Sequence, residues 1–211
     1  MSRLWLAVVL AGCATAGQSP GDGPHPTGDG PPSGRDGDTM RDAPPGSCAT
    51  PATGMVASWS FIGEPGSQLM TAASTMAAGI TAGPVSRSSG LTVASGVGSI
   101  NSSNWATGTA LDVGKYYTLS VTPPAGCTLA LTSLATDTKT SGTGPTQAAV
   151  GTSADSFAAT SPVTLNATGT ATLAVTGATD MVELRVYGWA ATGSGGTFRI
   201  QNTLTLTGSL Q

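Results

Sequence analysis

Apolar and polar side chains alternate in short runs along the chain from residue 52 to residue 211. Alternation with a period of two is typical of β-strands that bury one face. The run 116–121 would point Tyr117, Leu119 and Val121 inward, and the run 55–61 would bury Met55, Ala57, Trp59 and Phe61. Further strands are predicted at 127–134, 148–152, 162–166, 170–176, 181–189, 197–201 and 203–210.

Segments rich in glycine and proline separate these runs, at 123–126, 141–145 and 193–196. Many short strands divided by such turns predict an all-β fold, a single jelly-roll-like β-sandwich over residues 52–211. The stretch 69–78 differs, because Leu69, Ala73 and Met76 stand at helical spacing. A short helix and a loop that crosses the sandwich both fit this stretch.

The first twelve residues have the layout of a secretory signal peptide: a basic start at Arg3, a short apolar run and then small residues. The following tetrapeptide, Leu10-Ala11-Gly12-Cys13, resembles the bacterial lipobox. That resemblance implies a lipid such as palmitate on Cys13, and with Ala14 after it an anchor in the outer membrane or at the cell surface of a diderm bacterium. The alternative is an ordinary secreted protein in which Cys13 has no role.

Residues 13–51 are predicted to be a lipidated cysteine followed by a disordered tether. Pro, Gly, Asp and Ser dominate this stretch and large apolar side chains are rare, so little burial could offset the entropy of ordering it. The single histidine of the chain, His25, lies here. The folded region 52–211 therefore cannot contain a Ser-His-Asp or Cys-His catalytic arrangement.

The chain has few charged residues, and this makes several classes of protein function improbable. Only 9% of residues are charged, against about a quarter in typical domains, and the net charge is −3. Lysine and arginine nowhere cluster, which argues against nucleic-acid binding. Six carboxylates in the folded region would allow a two-carboxylate glycosidase site, but the surrounding charged groups of such a site are missing. The sequence predicts a protein that is not an enzyme.

Two cysteines remain after Cys13, and two interpretations are open. In an oxidising compartment Cys48 and Cys127 could form a disulfide that ties the first residues of the domain to its core. Alternatively they are unrelated thiols, with Cys127 pointing inward from a strand as a small apolar side chain. Zinc is not expected, because there is no Cys-x-x-Cys motif and no companion histidine.

The predicted strand 181–189 carries the best candidate for ligand binding. Its even positions would face the core, so the other face would present Glu183, Arg185, Tyr187 and Trp189. Aromatic rings stack on the C–H faces of sugars and polar groups bind the hydroxyls, so this stripe suits a polyol. Trp105 is a second candidate, on a loop. The alternative is that Glu183 and Arg185 form a simple ion pair and the rings belong to the core.

Calcium is a further option, through Asp137, Asp155 and Asp180 in predicted loops. No calcium-binding motif is present, and each Asp could equally form a turn with the backbone two residues on. We therefore expect no cofactor, with a structural calcium ion left open.

The domain also resembles a family of extracellular bacterial β-sandwich domains of uncharacterised role, which share their shape with carbohydrate-binding modules. Gln201 stands where the family pattern has an Asp. The resemblance implies a surface β-sandwich. The matching residues are 59–61, 116–123 with Gly126, 153–157, 184–189, 196–202 and 206–208.

Together these features predict a lipid-anchored, non-enzymatic recognition module at the cell surface, with polysaccharide as the favoured ligand. The alternative is a structural or adhesive surface protein that acts through protein–protein contacts, using exposed edge strands with few charges. A glycoside hydrolase is the third hypothesis. No sequence feature names the ligand.

Overall fold

The computed structural model describes residues 47–211. These residues form two β-sheets that pack face to face. All strand pairs are antiparallel except β2 with β8. One short 3₁₀ helix spans Ser153–Asp155. The strands are β1 (Ala52–Ser60), β2 (Pro65–Gly66), β3 (Met70–Thr71), β4 (Thr75–Met76), β5 (Thr81–Ala82), β6 (Val85–Arg87), β7 (Thr92–Val93), β8 (Ser99–Ser103), β9 (Tyr116–Thr122), β10 (Leu129–Thr140), β11 (Gln147–Thr152), β12 (Thr160–Pro162), β13 (Thr168–Ala178), β14 (Val182–Trp189) and β15 (Phe198–Leu210).

The strand order within each sheet is non-consecutive, as expected of a sandwich with crossing connections. Sheet 1 has the order β13-β10-β15-β1-β4, with β8 on β15 and β2 and β7 on β8. Sheet 2 has the order β12-β11-β14-β9-β6-β3, with β5 on β9. The fold is the predicted all-β sandwich.

The core lies between the sheets and follows the predicted alternation in β9 and β14. Tyr117, Leu119 and Val121 are buried, as are the even positions of β14. Tyr117 also donates a hydrogen bond from its hydroxyl to the carbonyl of Phe198 in the opposite sheet. Burying one such side chain contributes about 1.5–3 kcal/mol, so the regular alternation accounts for much of the driving force for folding.

Strand β1 departs from the predicted pattern at one position. A register shift between Met55 and Ala57 in the pairing with β15 forms a β-bulge. The bulge leaves Met55 43% exposed while Val56 and Ala57 are both buried. The prediction that Met55 faces the core is therefore wrong, because one extra residue at a bulge reverses the facing of the side chains before it.

The stretch 69–78 contains no helix. It passes from sheet 2 to sheet 1 through the two-residue strands β3 and β4, so the alternative of a segment that crosses the sandwich is confirmed. Two other predicted elements need correction. Strand β12 ends at Pro162, where the prediction had a strand begin. The runs 197–201 and 203–210 join into the single strand β15, because Asn202 adopts a left-handed φ of 57° that bends the strand without ending it. Before the bend β15 pairs with β8, and after it with β1.

Arg87 joins the two sheets from within. It lies on β6 of sheet 2 and donates hydrogen bonds to the carbonyls of Gln68, Gly66 and Asn101, the last on β8 of sheet 1. Burial lowers the pKa of Arg87, and the neighbouring Tyr117 opposes that shift. These carbonyl acceptors identify Arg87 as a structural cation, because partly buried charges need several hydrogen-bond partners.

Cys48 and Cys127 are bonded to each other in the structure, with their Cα atoms 4.4 Å apart. The bridge joins the residues just before β1 to the loop before β10, across a sequence separation of 79. Cys127 is buried, but it lies in that loop and not within the predicted strand 127–134. A bridge that closes a loop of this length stabilises a fold by about 2–5 kcal/mol.

The predicted signal peptide (1–12), Cys13 and residues 14–46 of the predicted tether, which was expected to run to residue 51, lie outside the described residues. Their assignment stays a prediction. Within residues 47–211, no helix is long and apolar enough to cross a membrane.

Candidate functional site

The predicted polyol-binding stripe of Glu183, Arg185, Tyr187 and Trp189 lies on the outer face of sheet 2. Strand β14 is central, with β9 on one side and β11 on the other. On this face Tyr187 pairs in register with Tyr116 of β9, and Arg185 pairs with Gly151 of β11. Because β11 contributes only Ala149 and Gly151 beside the middle of the stripe, the large side chains of β14 stand above small neighbours.

Two aromatic rings contact the guanidinium of Arg185. The carbon at the centre of its guanidinium lies 4.4 Å from the ring centre of Tyr116 and 4.0 Å from that of Phe157. Such cation–π contacts contribute about 0.5–1 kcal/mol each at exposed sites. The two rings thereby restrain the guanidinium, while the Arg185 side chain stays partly exposed.

Glu183 fixes the same guanidinium from the side. Its Oε1 accepts a hydrogen bond from Arg185 Nε at 2.7 Å and another from the Thr118 hydroxyl at 3.0 Å. Both charged side chains are about a quarter exposed, at 25% for Arg185 and 27% for Glu183. Partial burial disfavours the charged guanidinium, but the hydrogen bond and negative charge of Glu183 outweigh it and raise the pKa of Arg185.

Phe157 reaches Arg185 from a loop with an unusual backbone. Ser156 and Phe157 both have left-handed φ angles, 59° and 61°. This conformation is rare for a bulky residue and costs about 1–3 kcal/mol per residue. The Phe157 amide donates to the Thr152 carbonyl at 2.8 Å, and the Asp155 carboxylate accepts from the Ala159 amide at 2.9 Å. The loop is thus locked in the conformation that places the ring on Arg185.

Trp189 borders an open groove at one end of the stripe. The groove has a volume of about 390 Å³ and offers both apolar walls and hydrogen-bonding side chains. Trp189 is half-buried, so part of its ring faces the groove. The remaining lining residues are Thr146, Gln147, Ala148, Ala149, Thr160, Pro162, Val163 and Leu165.

A second depression, of about 320 Å³, lies at the Glu183 end of the stripe. Its floor is formed by small polar side chains of the neighbouring strands, Ser86, Thr118 and Ser120. Glu183 and Trp189 are six residues apart in one strand, which corresponds to about 20 Å. The outer face of sheet 2 therefore offers two shallow depressions with Arg185 between them.

Tyr187 belongs to this face but is only 2% exposed, so its predicted role as a ligand contact is corrected. Its ring packs edge-to-face against Tyr116, with 5.8 Å between ring centres. Burial raises the pKa of Tyr187, and the nearby positive charge of Arg185 opposes the shift. Tyr187 therefore packs against Tyr116 and has almost no exposed surface for a ligand.

Trp105 lies in the core, so its predicted exposure to a ligand is wrong. It is 1% exposed, and its ring centre lies 5.2 Å from those of Tyr117 and Phe198. Its Nε1 donates to the Ser102 carbonyl at 2.8 Å, which satisfies the buried polar atom. Room for the indole depends on Gly188, since a Cβ there would lie 3.1 Å from the Trp105 ring.

The site uses two aromatic residues that the sequence analysis did not select. Tyr116 could have been found, because a strand that points Tyr117 inward must point Tyr116 outward. Phe157 gave no such signal, since it reaches the site only through a left-handed loop. The stripe is therefore made of Tyr116, Phe157, Glu183, Arg185 and Trp189, and we call these residues the Arg185 face.

The candidate calcium ligands are separated and serve local structure. Asp155 closes its own loop, whereas Asp137 lies within β10 and accepts hydrogen bonds from the side chains of Gln201 and Asn202. Asp180 lies in the turn between β13 and β14. Within residues 47–211, no three His, Cys, Asp or Glu side chains are close enough to hold a metal ion.

The sequence matches no protein-family model, and no curated protein is significantly similar to it. Among solved structures, the chain is similar to CBM29-2, a family 29 carbohydrate-binding module determined as a mutant in complex with mannohexaose. The alignment covers 73% of this chain and 93% of that chain at 16% identity, with a TM-score of 0.35. The resemblance to the secreted bacterial family stays a prediction.

Proposed function

We propose that this protein is a non-enzymatic recognition module that binds polysaccharide on the Arg185 face. The observation that carries the proposal is the guanidinium of Arg185, which contacts the rings of Tyr116 and Phe157 and is hydrogen-bonded to Glu183. Guanidinium and carboxylate groups provide hydrogen-bond donors and acceptors for sugar hydroxyls, and the Trp189 ring provides an apolar surface for a pyranose.

The rigidity of the face supports a binding role. Long side chains such as arginine lose about 0.5–1.5 kcal/mol of conformational entropy when a ligand immobilises them. Here that cost is met during folding, because Tyr116, Phe157 and Glu183 already hold Arg185. Pre-organised groups on an open face suit a long, shallow ligand more than a small enclosed one.

The carboxylates favour binding over catalysis. Glu183 is committed to Arg185 and Thr118, and Asp155 to its own loop. A glycosidase needs two carboxyl groups that flank the scissile bond with at least one free to transfer a proton. Glu183 is the only carboxylate of the Arg185 face.

The proposed location is the outer membrane or the cell surface of a diderm bacterium, with the domain held by a lipid on Cys13. The support is the tetrapeptide at residues 10–13, after an apolar run of signal-peptide length. Each buried CH₂ group of an acyl chain contributes about 0.8 kcal/mol to membrane binding. Growth with labelled palmitate should label the wild-type chain and not the Cys13→Ser variant, and equal labelling of both would contradict the anchor.

Polysaccharide binding is tested with the full chain in mild detergent, by co-sedimentation with insoluble glycans and by tryptophan fluorescence with soluble ones. Arg185→Ala should weaken binding about 10- to 100-fold, the loss expected when about 1.5–3 kcal/mol of contact is removed. The matched control is Arg199→Ala, the same change on the outer face of sheet 1. Equal losses in the two variants, or no binding to any glycan by the wild type, would contradict the proposal.

A further inference from the structure

The outermost strands of the sandwich differ in length. Three of the strands that end the two sheets, β4, β12 and β3, are two or three residues long. The fourth, β13, has 11 residues and pairs only with β10. Short edge strands are a common device against unwanted pairing, and β13 lacks that device.

The outer edge of β13 has no partner within residues 47–211. No hydrogen bond from another described segment reaches the backbone of residues 168–178 on the side away from β10. The strand also contains no charged residue and no proline, two further features that block an edge. Its free N–H and C=O groups are therefore available to a further strand.

Only the first half of β13 has a continuous register with β10, so only this half is expected to pair regularly with another strand. The register with β10 shifts twice between Ala178 and Thr172 but is continuous from Thr172 to Thr168. The irregular half borders a groove of about 210 Å³ lined by Leu173, Ala174 and Thr176. In the regular half, Thr168, Thr170 and Thr172 project from the outer face and are exposed.

We propose that the first half of β13 pairs antiparallel with β13 of a second copy of this chain, so that sheet 1 continues across a two-fold axis. With the axis at Thr170, Thr168 of one copy would lie opposite Thr172 of the other. Threonine has high β-propensity, and Thr–Thr cross-strand pairs are favourable. An uncharged strand can also pair with its own copy without electrostatic repulsion. This matters because a two-fold contact brings the same surface of both copies together.

A second copy fits this edge better than a foreign peptide. Strand addition by foreign peptides gains its specificity from pockets for alternate side chains. Beside the regular half of β13 the inward position Ala171 is buried in the core, and the groove lined by Leu173, Ala174 and Thr176 lies at the irregular half. Backbone pairing and the threonine row are then the main sources of recognition.

The test is sedimentation velocity of the full chain in mild detergent over a range of concentrations. The wild type should show a reversible monomer–dimer equilibrium. Thr170→Lys and Thr170→Glu should each weaken the dimer about tenfold or more, because two like charges would stand opposite each other. An equimolar mixture of the two variants should restore dimer formation, since opposite charges then meet.

Thr53→Lys is the matched control, because Thr53 is an exposed threonine of β1 in the same sheet, away from β13. A wild type that stays monomeric at hundreds of micromolar would overturn the proposal. Equal effects of Thr53→Lys and Thr170→Lys, or a mixture that does not restore the dimer, would overturn it as well. Arg185→Ala should leave the dimer unchanged, which separates this inference from polysaccharide binding.

Discussion

The two outer faces of the sandwich differ in their aromatic content. Of the chain's ten aromatic residues, Trp5 lies outside the described residues. The core contains Trp59, Phe61, Trp105, Tyr117 and Phe198. The other four lie on the outer face of sheet 2: Tyr116, Phe157, Tyr187 and Trp189. The described outer face of sheet 1 has none and is rich in threonine and serine.

This contrast is informative because both sheets pack against the same core and differ on their outer faces. A sheet needs apolar side chains only on its inner face, so the threonine-rich face of sheet 1 meets every requirement of folding. The aromatic rings on the outer face of sheet 2 are not needed to form the sheet, and one of them is held by a loop with left-handed residues. Exposed rings and backbone strain on one face are typical of a binding surface.

The strongest test of the contrast compares two tryptophans. Trp105→Ala should lower the free energy of unfolding by about 3–5 kcal/mol, because it empties the space between Tyr117 and Phe198. Trp189→Ala should lower it by less than about 1.5 kcal/mol, since the ring is only half-buried. Chemical denaturation monitored by circular dichroism measures both. Similar losses would mean that Trp189 is a core residue and not a ligand contact.

The second prediction concerns Phe157 as a positioning residue for Arg185. Phe157→Ala should weaken polysaccharide binding by about 1–2 kcal/mol, since the guanidinium loses one of its two rings. The loss should shrink markedly in an Arg185→Ala background, because a positioning residue acts only through the group it holds. Titration of the four chains of this double-mutant cycle measures the coupling. Full additivity would show that Phe157 does not act through Arg185.

The third prediction uses the two buried tyrosines. Burial raises the pKa of Tyr117 above its usual value of 10, with Ser102 and Arg87 opposing the shift. The Tyr117 hydroxyl therefore ionises at a lower pH in the unfolded chain than in the folded protein. The free energy of unfolding should fall by about 1.4 kcal/mol per pH unit from about pH 10 upward. Below pH 10 this contribution is fully present.

Tyr117→Phe should reduce the slope of unfolding free energy against pH above pH 10. It should also cost about 1 kcal/mol at neutral pH, since the Phe198 carbonyl loses its donor. Tyr187→Phe, on the outer face, is the comparison variant. A slope unchanged by Tyr117→Phe would show that this hydroxyl ionises freely in the folded protein.

The smallest expected effect is that of Glu183→Gln on stability. The ion pair with Arg185 is partly solvated, so its loss should lower the free energy of unfolding by less than about 1 kcal/mol. Polysaccharide binding should weaken severalfold, because the amide holds the guanidinium less firmly than the carboxylate does. Thermal unfolding and titration together measure both. A large loss of stability would assign the pair to the fold and not to a site.

Strand positions were largely predictable, because a strand alternates its side chains whatever surrounds it. That periodicity identified β9 and β14 with their correct inner faces, and it predicted the sandwich. It failed at Met55 and Asn202, where a bulge and a left-handed residue change the pattern without leaving a clear mark in the sequence. Such features depend on the neighbouring strand as much as on the residue itself.

Residue order alone was therefore enough to predict the fold class, the side of β14 that carries Glu183 and Arg185, and the absence of histidine from residues 52–211. That Trp105 is core, that Phe157 lies on Arg185, and that β13 is a long edge strand of the described sheets emerges only from the folded arrangement. The physical reason is that alternation is local to one strand. Exposure, in contrast, depends on which strands and loops lie beside it, and those neighbours are distant in sequence.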